Sequence, residues 1–258
     1  MDILIRPDAA GVSLAAADIL MDHARRGATL GLATGSTPLG TYRELIRRHE
    51  AGEVSFADCT AFLLDEYVGL ARDHEQSYHH TIRHEFINHV DIDDARVHSP
   101  EGTAADPWAA AEEYEQAIID AGGIDIQLLG IGTNGHIGFN EPGAALNGPT
   151  HVDTLQPQTI ADNSRFFDRP EDVPIHVLTQ GLGTIQRAGH LLLLATGEGK
   201  AAALAALAEG PLTTMCPASI LQLHPRVTVI VDEAAASRLH HRDYHRFVEE
   251  NALPRKNR

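Results

Sequence analysis

A chain of 258 residues with 36 acidic and 20 basic side chains, a formal net charge of −16, argues against a surface for nucleic acid or an anionic membrane. At 43% hydrophobic it is long enough for a substantial core, yet its longest apolar runs, such as LLLLA at 191–195, are too short to span a bilayer. Cys59 and Cys216 lie far apart without a C-x-x-C pattern and MDILIRPDAAG is not a secretory signal, so reduced thiols and a cytoplasmic location are expected.

In chain order, 2–5 (DILI) reads as a strand, 12–26 as a helix, 28–33 (ATLGLA) as a strand and 38–50 as a helix. The strand 60–64 (TAFLL) precedes helices over 76–89 and 107–121. Strands at 124–131 (IDIQLLGI), 190–195 (HLLLLA) and 227–231 (VTVIV) follow, with helices at 200–208 and 233–250. Alternation at this spacing predicts right-handed crossovers. The fold class is therefore α/β: a single domain with a mostly parallel, doubly wound, Rossmann-like sheet and helices on both faces. The nearly all-apolar strands agree with burial on both sides. Residues 143–181 mix Gly, Pro, Asn, Asp and Thr without periodicity. They read either as a mobile flap over the site or as an ordinary surface excursion. The polar tail ALPRKNR is expected to fray.

Ligands of open α/β sheets bind beyond the carboxyl ends of the strands, so the residues after each strand matter most. After the second strand comes Thr34-Gly35-Ser36-Thr37-Pro38. Thr37 is expected to cap the following helix, with Pro38 as its first residue. Gly35 admits close approach, and free amides with two hydroxyls at a helix start suit a phosphate. After the fifth strand, Thr196-Gly197-Glu198-Gly199-Lys200 is not a P-loop, because Leu194 and Ala201 occupy the required Gly and Ser/Thr positions. Lys200 still suits a single phosphate as a point charge. Two such junctions favour a sugar monophosphate.

The third strand ends in Asp65-Glu66. Neighbours on a strand point to opposite sides, so one carboxylate is expected to face the cleft and the other to pack or cap. A carboxylate there is either a partly desolvated general base or a solvated loop acid. The fourth strand runs into GIGTNGHIGFNEPG (130–143), whose first six residues match G-x-G-x-x-G. No ordinary helix start can follow Gly135, because Gly138 and the Pro142-Gly143 pair interrupt the next eight residues. The dinucleotide reading fails there, and with it an NAD-dependent oxidoreductase. What remains is a bend carrying His136 and Glu141, a pair suited to proton transfer near neutral pH. His79, His80, His84 and His89, and separately His240, His241 and His245, are read as exposed helix faces rather than metal ligands.

Together these segments resemble the glucosamine-6-phosphate deaminase family. The resemblance rests on TGSTPLGTY (34–42), FLLDEYVGL (62–70), SYHHTIRHEFINHVDI (77–92), GIGTNGHIGFNEPG (130–143), NSRFF (163–167), GEGKAAAL (197–204) and SILQLHPRVTVIVDE (219–233). It implies conversion of glucosamine 6-phosphate and water to fructose 6-phosphate and ammonia, with neither metal nor organic cofactor. Asp65 would move the C2 proton to C1. His136, assisted by Glu141 and Asn134, would open the sugar ring. Gly35, Ser36, Thr37, Arg165 and Lys200 would hold the phosphate. Some family members carry Asp where this chain has Asn134, which leaves the coupling to His136 mainly to Glu141. Members activated by N-acetylglucosamine 6-phosphate have a basic pair in the stretch matching THVDTL (150–155), so that allosteric site is expected to be absent. The 6-phosphogluconolactonases share the phosphate-loop idea but lack the DEYVGL and HIGFNEP runs. A phosphosugar hydrolase of that kind and a non-catalytic sugar-phosphate sensor are the alternatives. The partner expected is a small amino-sugar phosphate, and monomer and homo-oligomer both stay open.

Overall fold

The computed structural model describes residues 1–253; residues 254–258, most of the tail expected to fray, lie outside them. The chain runs β1 (Asp2–Arg6), α1 (Ala9–Ala24), β2 (Thr29–Leu32), α2 (Leu39–Glu50), β3 (Thr60–Leu63), β4 (Asp65–Tyr67), α3 (Tyr78–Glu85), β5 (Val97–His98) and α4 (Pro107–Asp120). It continues through β6 (Ile126–Leu129), β7 (His151–Thr154), α5 (Pro157–Asn163), β8 (His176–Thr179), α6 (Leu182–Gln186), β9 (Leu191–Ala195), α7 (Ala201–Glu209), β10 (Val227–Asp232) and α8 (Arg242–Glu250).

Seven strands form one wholly parallel sheet in the order β1-β10-β9-β6-β2-β3-β5. Every residue of β6, β9 and β10 is buried, which requires cover on both faces; α1, for one, packs on β1, β9 and β10. From β2 the chain passes to β3 and β5 on one side. It then returns to β6 on the other and moves outward to β9 and β10. The winding reverses between β2 and β6, so the ligand crevice of such a sheet opens at their carboxyl ends.

All six expected strands are present, with ends within two residues of expectation. Three local expectations are corrected. Thr37 does not cap α2: the helix starts at Leu39 after Pro38, and no side chain bonds its first turn. The helix expected over 76–89 ends as α3 at Glu85, where Phe86 leaves helical geometry, and a 3-10 turn covers Ile87–His89. The helix expected over 233–250 is a 3-10 turn at Ala235–Arg238 followed by α8.

Residues 143–181 carry two strands and a helix that their lack of periodicity did not foretell. Their β7 and β8 pair antiparallel with each other, and β8 pairs with β4, making a second sheet of three strands. Between β7 and β8 lie α5 and 3-10 turns at Ser164–Phe166 and Pro170–Asp172. Tyr67, Phe139, Leu155 and Val177 form a small separate core under this segment.

Candidate active site

Four neighbouring strands, β3, β2, β6 and β9, deliver the sequence-expected residues to one sheet edge. Asp65 follows β3, the Gly35–Thr37 turn follows β2, the His136–Glu141 loop follows β6, and Lys200 follows β9.

Leu64 still pairs with β2 through its amide and Leu32 O, but the next residues leave the parallel sheet to pair with β8. This switch separates Asp65 from Glu66. The Glu66 carboxylate accepts the amides of Tyr67, Tyr78 and His79 at 2.8, 3.0 and 2.9 Å, tying β4 to the start of α3. Asp65 is 6% exposed and accepts no hydrogen bond among the described residues. Burial, with the neighbouring Glu66 charge as the smaller cause, pushes its carboxyl up to about 8.

The loop after β6 is a bend, as its glycines and proline require. Gly135 has φ +87° and Gly138 φ +56°, a region that favours glycine. The Gly132 amide donates to His136 O at 2.9 Å, and a Cβ at Gly132 would stand 2.3–2.5 Å from the imidazole. The ring therefore lies directly on the Gly132 backbone. His136 Nδ1 stands 3.5 Å from Glu141 Oε2, facing it at ion-pair distance. Asn134 joins the two: its Oδ1 accepts the His136 amide at 3.1 Å and its Nδ2 donates to Glu141 Oε2 at 2.8 Å. Burial would push Glu141 up. The imidazole, the Thr159 hydroxyl and Asn134 outweigh it and hold the carboxyl at about 2. Asn140 fixes the base of the loop through Ile137 O and Gln180 O, at 2.9 and 2.8 Å.

The turn after β2 offers an anion exposed Gly35 and Ser36, with φ +95° at Gly35 and open space where its Cβ would be. The amides of Gly35, Ser36 and Thr37 bond no protein group among the described residues. Lys200 closes the turn after β9, where Gly197 adopts φ +84° and its amide donates to Asp232 at 3.0 Å. Burial lowers the Lys200 ammonium; Asp162 opposes and Arg165 adds to the lowering. That repulsion places Arg165 within electrostatic reach of Lys200, its guanidinium lying over the Phe166 ring. Neither cation forms an ion pair among the described residues, which suits a group that awaits a dianion.

Sequence reasoning missed the contribution of the segment between β7 and β8. Thr159 donates to Glu141 Oε1, and Asn163 donates to the Tyr67 hydroxyl at 2.8 Å. Thr179 on β8 accepts the Phe139 amide at 3.1 Å. The NSRFF run pointed toward this region, but nothing in the sequence distinguishes Thr159 from its neighbours. Of the histidine clusters, His80 and His84 lie ring to ring at 6.4 Å, and His79 is bonded to Ser99. Among the described residues no three His, Cys, Asp or Glu side chains are arranged to hold a metal ion, and no helix is long and apolar enough to cross a membrane.

The model of the glucosamine-6-phosphate isomerases/6-phosphogluconolactonase family matches residues 7–230, and the chain belongs to that family. Within it, this chain stands with the deaminases. It is 65% identical over 253 residues to a glucosamine-6-phosphate deaminase of Corynebacterium aurimucosum, covering 98% of this chain and 100% of that one. A deaminase of Rhodococcus jostii is 58% identical over 252 residues, with 97% of each chain covered. The solved structure of a monomeric glucosamine-6-phosphate deaminase superposes with a TM-score of 0.91 at 44% identity, covering 92% of this chain and all of the other. A 6-phosphogluconolactonase from Trypanosoma cruzi shares the fold at a TM-score of 0.76, with 21% identity and 93% and 97% of the two chains covered.

Proposed function

We propose that this chain converts glucosamine 6-phosphate and water to fructose 6-phosphate and ammonia. The observation that carries the proposal is Asp65: a buried carboxylate without a hydrogen-bond partner among the described residues, at the same sheet edge as an imidazole–carboxylate pair and Lys200, which forms no ion pair among them. In the reaction, the amides and hydroxyls of Gly35, Ser36 and Thr37 receive the phosphate oxygens, and Lys200 and Arg165 neutralise their charge. The segment between β7 and β8 acts as the flap, bringing Arg165 over the bound phosphate.

His136 moves a proton between the ring oxygen and the C1 hydroxyl, opening the pyranose to the aldehyde. Glu141, oriented by Asn134, stabilises the imidazolium formed on the way. Asp65 takes the C2 proton, which the adjacent aldehyde acidifies, leaving an enolate; a proton of the C2 ammonium passes to O1, giving the enol with a neutral amine on C2. Returning the proton held by Asp65 to C1 gives the C2 iminium; water adds to C2 and ammonia leaves. Desolvation strengthens Asp65 for this task by raising the affinity of its carboxylate for the proton it takes.

The test is ammonia and fructose 6-phosphate release from glucosamine 6-phosphate by purified protein, run beside 6-phosphogluconolactone hydrolysis. Ammonia release with negligible lactonase activity is expected. Lactone hydrolysis without ammonia would replace the proposal with the hydrolase alternative, and binding without turnover of either would replace it with the sensor.

A further inference from the structure

Glu141 receives donors from two different parts of the chain. Its Oε2 belongs to the catalytic loop, taking Asn134 Nδ2 at 2.8 Å and facing His136 Nδ1 at 3.5 Å. Its Oε1 accepts the hydroxyl of Thr159, eighteen residues away on α5. Thr159 is 5% exposed, and Asn163, four residues on and so on the same face of α5, reaches the Tyr67 hydroxyl. Arg165 follows in the next turn.

A carboxylate only accepts, so the bond can run only from the Thr159 hydroxyl to Glu141. Rotation of a glutamate carboxylate about its last torsion is soft, so its orientation is fixed by donors rather than by the side chain's own rotamers. We propose that Thr159 is a positioning residue whose hydroxyl holds the Glu141 carboxylate turned toward His136 only while α5 lies over the site. Ring opening is thereby tied to the position of the flap. If α5 lifts, Oε1 loses its donor and the His136–Glu141 pair loses its orientation before any phosphosugar is enclosed. The hydroxyl is also among the groups that hold the Glu141 carboxyl low.

This inference rests on the assignment of His136 and Glu141 made above. It is tested with Thr159→Val, which keeps the shape and removes the donor, and Thr159→Ser, which keeps the donor. Each is compared with wild type and again in a Glu141→Gln background, with thermal midpoints recorded to confirm folding. Thr159→Val is expected to lower kcat for glucosamine 6-phosphate by roughly 10–100-fold with KM changed by less than about threefold. Thr159→Ser is expected within about threefold of wild type. On top of Glu141→Gln, the valine is expected to cost less than about twofold more, since residues acting as a unit are not additive. A kcat for folded Thr159→Val within about twofold of wild type, a change confined to KM, or a full-sized loss in the Glu141→Gln background would each overturn the inference. Wild-type protein that releases no ammonia would instead remove the reading beneath it.

Discussion

Asp65 and Glu66, adjacent in sequence and both buried, are solvated by the protein in opposite ways: Glu66 accepts three backbone amides and Asp65 accepts none among the described residues. Burial pushes both carboxyls up, but three amides oppose it at Glu66, which organises structure, and none opposes it at Asp65. The stability consequence has a definite sign. An unfolded Asp65 releases its proton near pH 4, whereas the folded one holds it to about pH 8, so between those values the folded state binds more protons and stability falls as pH rises. Asp65→Asn is therefore expected to leave the melting temperature unchanged near pH 4 and to raise it by several degrees above pH 8, at roughly 2–4 °C per kcal/mol for a chain of this size. Calorimetry at the two pH values checks this, and an equal shift at both would remove burial as the cause.

The same raised value predicts that kcat/KM climbs with pH toward a limb near 8, because the free enzyme must ionise Asp65 before it can act as base. A pH–rate profile flat between 6 and 8 would contradict this.

Gly132 supports the imidazole directly. Because a Cβ there would stand 2.3–2.5 Å from the His136 ring, Gly132→Ala has to displace the imidazole. A displacement on the order of 1 Å costs about 10²-fold in kcat, and the phosphate contacts should leave KM within a few-fold. Steady-state kinetics of the variant separates the two parameters.

Lys200 and Arg165 form no ion pair among the described residues, so removing either should be felt mainly in affinity for the phosphate. Lys200→Ala and Arg165→Ala are each expected to raise KM by roughly 10–100-fold, with a smaller effect on kcat. An unchanged KM in both would withdraw the phosphate assignment.

His151 and Asp153 occupy the stretch where activated relatives are expected to carry a basic pair. Here Asp153 lies 3.7 Å from the imidazole and raises its pKa, so any positive charge that forms on His151 is met locally. Hyperbolic kinetics, unchanged by N-acetylglucosamine 6-phosphate, are expected. Sigmoidal kinetics relieved by that ligand would contradict the absence of an allosteric site.

The parallel sheet was readable because β6, β9 and β10 are predominantly apolar runs buried on both faces, with glycine or proline nearby in the chain. The second sheet was not. Its β7 is half-exposed and polar, and β4 has three residues, beginning where the chain abandons the parallel sheet after Leu64. No periodicity encodes such a switch. Strand alternation foretold that Asp65 and Glu66 would part, but which of them would face the site depended on where α3 begins. The breakdown of the glycine pattern after Gly135 was equally legible, since proline and glycine act locally. Thr159 was invisible for the opposite reason: its role comes from the docking of α5 across eighteen residues of chain. Thr37 was misread because a cap-forming residue beside a proline is a local preference, here overridden by the turn that leaves Gly35 and Ser36 open.

The central claim is that Asp65 carries the proton from C2 to C1. The most direct measurement is ammonia release by Asp65→Asn alongside its equilibrium binding of glucosamine 6-phosphate. Turnover at least about 10³-fold below wild type, with substrate affinity within a few-fold, is the predicted result. Ammonia release at near wild-type rates would contradict it.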